Sequence, residues 1–208
     1  GSHKALIQGD FYSSKEFSGI NSIYFSKPKI NPDDPVYLMS HSESLFLQSE
    51  AIIRTKVKNY DEAKKLYERA IEQSFMRLLK GKYNDDSIIK IAKRFYYPGK
   101  SYEFPPEGST EEDFIKAIIT QKWIALAGIQ SIETFIEHNR THFPAESKVP
   151  ADYDNYIPGE FTVSINNVTS NKFPKRLIIP LSEISSNPYV PEVKDVTQKI
   201  WWDKKEEQ

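Results

Sequence analysis

The chain has 208 residues, a net charge of −1 and 27% charged residues, which gives one large domain or two small ones and no basic footprint for nucleic acid. It has no cysteine, so a disulfide scaffold, a thiolate metal site and a cysteine nucleophile are excluded. No apolar run approaches the ~20 residues of a membrane helix, while aromatic residues are abundant: 12 Tyr, 12 Phe and 3 Trp.

Gly1-Ser2-His3 has the form of a cleaved purification-tag scar. From Lys4 to about Pro35 no helical period exists, and Gly9, Gly19, Pro28, Pro32 and Pro35 mark an extended segment with Ile23-Tyr24-Phe25 as a candidate strand. The remainder, 36–208, reads as one mainly α domain. A first helix is expected from Val36 to Lys56, with Leu38, Ser42, Leu45, Ser49 and Ile52 along one face. A second runs from Asn59 to about Lys80, capped by Asn59 or Asp61. Its stripe is Ala63, Leu66, Tyr67, Ala70, Ile71, Ser74 and Leu78, opposite a mixed-charge face that includes Glu68 and Glu72.

The short connection makes these two helices antiparallel neighbours. The small residues Ala51, Ala63 and Ala70, with Leu47 and Tyr67 as larger packing residues, fit a tetratricopeptide-type hairpin over 38–80. A generic helical hairpin is the alternative. One such repeat cannot bury its own face and needs partners.

A short helix is expected from Asp86 to Phe95, followed by a Pro-, Gly- and aromatic-rich loop from Tyr96 to Gly108. Ser109 and Glu112 form a capping box that opens a long buried helix over 110–141. Phe114, Ile118, Ala125, Ile129, Ile132 and Ile136 recur along it at steps of 4, 7, 4, 3 and 4, and Pro144 stops it. The region 144–208 is irregular and proline-rich, with Phe161-Thr162-Val163-Ser164-Ile165 as a short strand and Trp201-Trp202 plugging the chain against the helical core. The fold class is therefore mainly α: a tetratricopeptide-like hairpin plus a long buried helix, with extensive loops and a few short strands.

Catalytic signals are lacking. His138 and His142 stand four apart, the spacing of a zinc-binding helix, but Asn139 takes the place of the general base and the helix is ending. No glycine-rich phosphate loop and no nucleophile elbow exist, so no catalytic residue, metal or cofactor is expected. The candidate contact residues are the loop aromatics Tyr96, Tyr97, Tyr102, Phe104, Tyr153 and Tyr156, whose rings can stack on a sugar or peptide. The alternative is that these rings pin long loops onto the helices.

Three blocks carry a resemblance. The first is Leu38-Met39-Ser40-His41-Ser42-Glu43-Ser44-Leu45-Phe46-Leu47-Gln48-Ser49-Glu50-Ala51. The second is Gln121-Lys122-Trp123-Ile124-Ala125-Leu126 with Glu133 and Asn139-Arg140-Thr141-His142-Phe143-Pro144. The third is Phe173-Pro174-Lys175-Arg176-Leu177, Pro180, Glu183 and Asn187, closed by Trp201-Trp202-Asp203. In this order they resemble the SusD/RagB family of nutrient-binding outer-membrane lipoproteins, SusD-like branch. Asn139, His142 and Ser49 depart from the family pattern at positions that suit packing roles.

That family is normally more than twice this length, so the resemblance implies a C-terminal half. The signal peptide, lipidated cysteine and most repeats would lie in the other half. It further implies a non-enzymatic binder on the extracellular face of the outer membrane. Such a protein captures glycans, or in some branches peptides, and hands them to a SusC-like TonB-dependent transporter. None of the family's ligand contacts can be placed by motif here. A protein–protein scaffold of tetratricopeptide type is the second functional expectation.

Overall fold

A computed structural model of the chain describes residues 32–55, 59–149, 153–157, 159–162, 164, 166–170, 172–191 and 195–204. The expected extended segment up to Pro35, with its Ile23-Tyr24-Phe25 strand, lies almost wholly outside them, as do Val163 and Ile165. Six helices occur among the described residues, so the fold is mainly α as expected. The chain divides into two compact units, Ile30–His138 and a second to which Asn139–Gln208 belongs.

In the first unit α1 (His41–Arg54) starts five residues later than its apolar pattern suggests. Ser40 is the reason. It adopts an extended conformation and forms a full capping box with Glu43, while the Gln130 side chain donates to the carbonyls of Tyr37 and Leu38 at 3.0 and 2.8 Å. Leu38, expected in the buried stripe, is 93% exposed. α2 (Tyr60–Leu79) and α3 (Asp85–Tyr96) follow their sequence signals closely, with Asn59 and Asn84 as N-caps whose side chains accept from the amides of Glu62 and Ser87.

α1 and α2 run antiparallel: Ser49 meets Ala63, and His41 meets Gln73. Close approach follows from small side chains. Ser49, Ala63 and Ala70 have no exposed surface, and the Ser49 hydroxyl donates to the Ala63 carbonyl at 2.8 Å. The core of this unit centres on Tyr67 of α2, edge-on to Phe46 of α1 at 5.9 Å and tilted on Phe104 at 4.9 Å. Phe104 continues to Phe114 of α4 (Glu111–Leu126) at 5.2 Å. The Tyr67 hydroxyl donates to the Tyr102 carbonyl at 2.9 Å, so the ring fills the core and its polar end is satisfied. Burial first, then the fields of Tyr102 and Glu68, hold this phenol well above the ordinary tyrosine range.

Two expectations for the region after the loop are corrected. The capping box lies one residue further on, at Thr110 and Asp113, because the Ser109 amide closes a turn onto Pro106 with Gly108 at φ 97°. The single long helix over 110–141 is two helices, α4 and α5 (Ser131–Thr141). Gly128 takes φ 80°, a left-handed conformation that ends α4, and the Ile129 and Gln130 amides both return to the Leu126 carbonyl. The apolar period ran through this break, but Ile132 is 70% and Ile136 42% exposed, so the stripe is not one buried face. Lys122 of α4 and Glu137 of α5 form a buried ion pair at 3.3 Å.

In the second unit the polypeptide is held by polar ties. The Asn139 side chain donates to the Lys175 carbonyl at 3.3 Å, and Lys175 and Arg176 amides donate to Val196. His142 lies beyond the helix at φ 59° and contacts the buried Asp203 carboxylate at 3.3 Å. The four-residue histidine spacing is thereby broken. Among the described residues of the expected strand, Phe161 forms a parallel bridge with Glu146. The short α6 (Leu181–Ser186) starts after Pro180, and Trp201, expected to plug the core, is 83% exposed.

Two outcomes check this packing by urea denaturation. Ser49→Leu wedges α1 from α2 and lowers stability by about 1–3 kcal/mol, whereas Ser49→Ala costs about 1 kcal/mol. The second concerns alkaline pH. Tyrosine in the unfolded chain loses its proton near pH ~10 while folded Tyr67 keeps it, so the unfolded state binds fewer protons and stability falls as pH rises past that point. Tyr67→Phe makes that decline shallower by up to ~1.4 kcal/mol per pH unit; an unchanged slope contradicts the assignment.

Candidate ligand-binding surface

The end of α3 carries three consecutive aromatics, Phe95-Tyr96-Tyr97, and then turns sharply. Pro98 and Gly99 occupy the two central positions of that turn, with Gly99 at φ 77° and the Lys100 amide donating to the Tyr97 carbonyl at 2.9 Å. Proline followed by a glycine of positive φ is the sequence a type II turn requires. The returning chain is fixed by the Tyr102 amide on the Phe95 carbonyl at 3.0 Å and by the Glu103 carboxylate on the Gly99 amide.

This geometry builds an aromatic platform. Phe95 and Tyr102 stack with centroids 5.6 Å apart and planes at 21°, and Phe75 of α2 backs Phe95 at 5.2 Å. Phe95 is 42% and Tyr97 54% exposed, and Tyr102 is half-buried. The Tyr102 carbonyl is the group that receives the Tyr67 hydroxyl, so the platform is tied directly to the core.

Tyr96, expected among the accessible loop aromatics, is corrected to an anchor. Only 6% of it is exposed, and its hydroxyl donates to Glu72 of α2 at 2.6 Å. Burial, then the bond to the Glu72 carboxylate, raises its phenol far above the ordinary value. Phe104 is likewise buried, at 2%. Both rings pin the loop as the alternative reading had it. Phe95 was missed because its place at the end of a helix gives no sign of which way its ring turns.

Tyr153 and Tyr156 belong to the second unit. Tyr153 is 58% exposed, while Tyr156 donates its hydroxyl to the Glu160 carbonyl at 2.8 Å and its amide to Tyr153. Among the described residues no group of three His, Asp or Glu side chains is placed to hold a metal ion, and no helix is long and apolar enough to cross a membrane.

The family model for SusD-like proteins, the Susd and RagB outer membrane lipoproteins, matches residues 4–203. The chain belongs to the SusD-like family. The match includes residues 4–35, which carry none of the three sequence blocks. No curated protein and no solved structure matches the chain. In this SusD-like protein the blocks that carry the resemblance supply structural ties: Ser40 with Glu43, Lys122 with Glu137, Asn139 with Lys175, and His142 with Asp203. They hold backbone and helices in place, and Phe95, Tyr97 and Tyr102 lie outside those blocks.

Anchor and platform separate by mutation. Tyr96→Phe removes the donor to Glu72 and lowers stability by about 1 kcal/mol. Tyr97→Ala changes it by less than about 0.5 kcal/mol, because that ring is half in solvent. Paired urea denaturation curves check the difference.

Proposed function

We propose that this SusD-like protein captures oligosaccharide at the outer face of the outer membrane, held there by a lipid anchor, and delivers it to a SusC-like TonB-dependent transporter. The family is one of outer-membrane lipoproteins, generally binding proteins and not enzymes. The observation that carries the glycan reading is the Phe95–Tyr102 stack, with the exposed Tyr97 ring on the same turn. It is a group of accessible rings on a turn fixed by the core hydroxyl of Tyr67. An aromatic face offers a sugar the apolar, polarisable surface its axial C–H groups pack against. A surface held in place before binding loses little entropy when the ligand arrives. Tyr153 in the second unit is a further exposed ring for such contact.

The small-residue interface between α1 and α2 is read as a tetratricopeptide-like hairpin, which favours a docking role toward the transporter. Peptide is the second ligand class, since the same rings accept apolar side chains.

Isothermal titration against a panel of oligosaccharides and short peptides tests the reading. Binding by an oligosaccharide is expected, weakened about tenfold by Tyr97→Ala, equivalent to about 1.4 kcal/mol. Binding of peptides alone selects the second class, and no binding of either contradicts the proposal.

A further inference from the structure

A second feature of the helical unit is a cleft whose lining includes none of the platform rings. The N-terminal end of α1 and the last turn of α2 enclose a cleft of about 240 Å³ lined by Tyr37, Ser40, His41, Gln73, Arg77 and Lys80, among others. That is smaller than the roughly 300–1,000 Å³ of pockets for whole drug-sized ligands, so it fits one residue of a longer molecule.

Its electrostatics are one-sided. Arg77 and Lys80 line it, and no Asp or Glu does. The first-turn carboxylate, Glu43, is engaged on the Ser40 amide within the capping box. Among the described residues neither Arg77 nor Lys80 has a carboxylate within ion-pairing distance. An arginine so close to a protein core normally has such a partner, because its guanidinium retains a full charge and a fork of donors to satisfy.

Arg77 is nonetheless held in place. Its Nη2 donates to the Ala125 carbonyl in the last turn of α4 at 3.0 Å, and its guanidinium lies over the Tyr37 ring, 5.8 Å from the centroid. Its Nε is buried with no hydrogen-bond partner. Around it stand polar groups already oriented: the His41 ring on the Gln73 carboxamide at 3.1 Å, and the hydroxyls of Ser40 and Ser42 on each other at 3.1 Å. A planar cation held in place, an ammonium at an exposed position and hydrogen-bonding groups in a residue-sized recess are what a carboxylate on a polar ring requires.

We propose that this cleft binds the carboxylate of a uronic acid residue within a longer oligosaccharide. The proposal rests on the glycan reading and narrows it to acidic glycans.

The experiment is isothermal titration of the full chain with trigalacturonate, its methyl-esterified form and a neutral trisaccharide. Trigalacturonate is expected to bind at least tenfold tighter than its ester, with the difference shrinking as salt rises. Lys80→Gln, at an exposed position, is expected to reduce the preference several-fold, and Arg77→Lys to reduce it further despite keeping the charge. Circular dichroism confirms that both variants are folded, and the Lys80 variant carries the test if the Arg77 variant is not. Equal affinity for acid and ester overturns the acidic subsite but leaves the glycan reading intact. Absence of binding by all three sugars, and by the wider oligosaccharide panel, overturns both. Preference for a sulfated trisaccharide over trigalacturonate overturns the carboxylate assignment.

Discussion

One buried side chain connects the parts of the helical unit. Tyr67 sits on α2 with 1% of its surface exposed, touching Phe46 of α1 and Phe104 of the loop, which in turn reaches Phe114 of α4. Its hydroxyl cannot be left without a partner in such a place, and the Tyr102 carbonyl supplies one. That requirement brings the loop back across the helices. The aromatic platform is therefore shaped by a core constraint: Tyr102 must present its carbonyl inward, and its ring then stacks on Phe95. Rigidity of the surface follows from satisfaction of a buried polar atom.

The second unit relies on a different principle. Among its described residues few apolar side chains are buried, Phe143 being one, and their backbone is tied by polar contacts from Asn139, Lys175, His142 and Asp203. Such ties specify a path for an irregular chain that lacks the periodic hydrogen bonding of a helix. Membership of the SusD-like family gives these ties a setting. Within the sequence blocks, Ser40, Lys122, Asn139, His142 and Asp203 mark how the chain is held.

Much of the helical unit was legible in the sequence, because its signals are local. The stripe Ala63, Tyr67, Ala70, Ile71 and Ser74 has the period of a helix, and Asn59 stands where an N-cap belongs. The break at Gly128 was not legible from periodicity, since Ile129, Ile132 and Ile136 continue the phase of α4. What decides it is one residue's backbone conformation. The cap at Thr110 was missed by one position because Ser109 fits the same pattern and is diverted into a turn. The roles of the three adjacent aromatics depended on distant partners. Tyr96 turns inward to Glu72, 24 residues away, while Phe95 and Tyr97 remain accessible. Arg77 gave no sequence signal either, because what distinguishes it is the absence of an ion-pair partner, a property of the folded chain.

We propose that the core-anchored aromatic turn is the surface that meets the ligand. Hydrogen exchange across the chain, with and without a saturating oligosaccharide, measures this directly. The account predicts that amides from Phe95 to Tyr102 slow on binding, while those of α2 around Tyr67 are equally slow in both states. New protection confined to the segment from Tyr153 to Glu160, with Phe95 to Tyr102 unchanged, would contradict it.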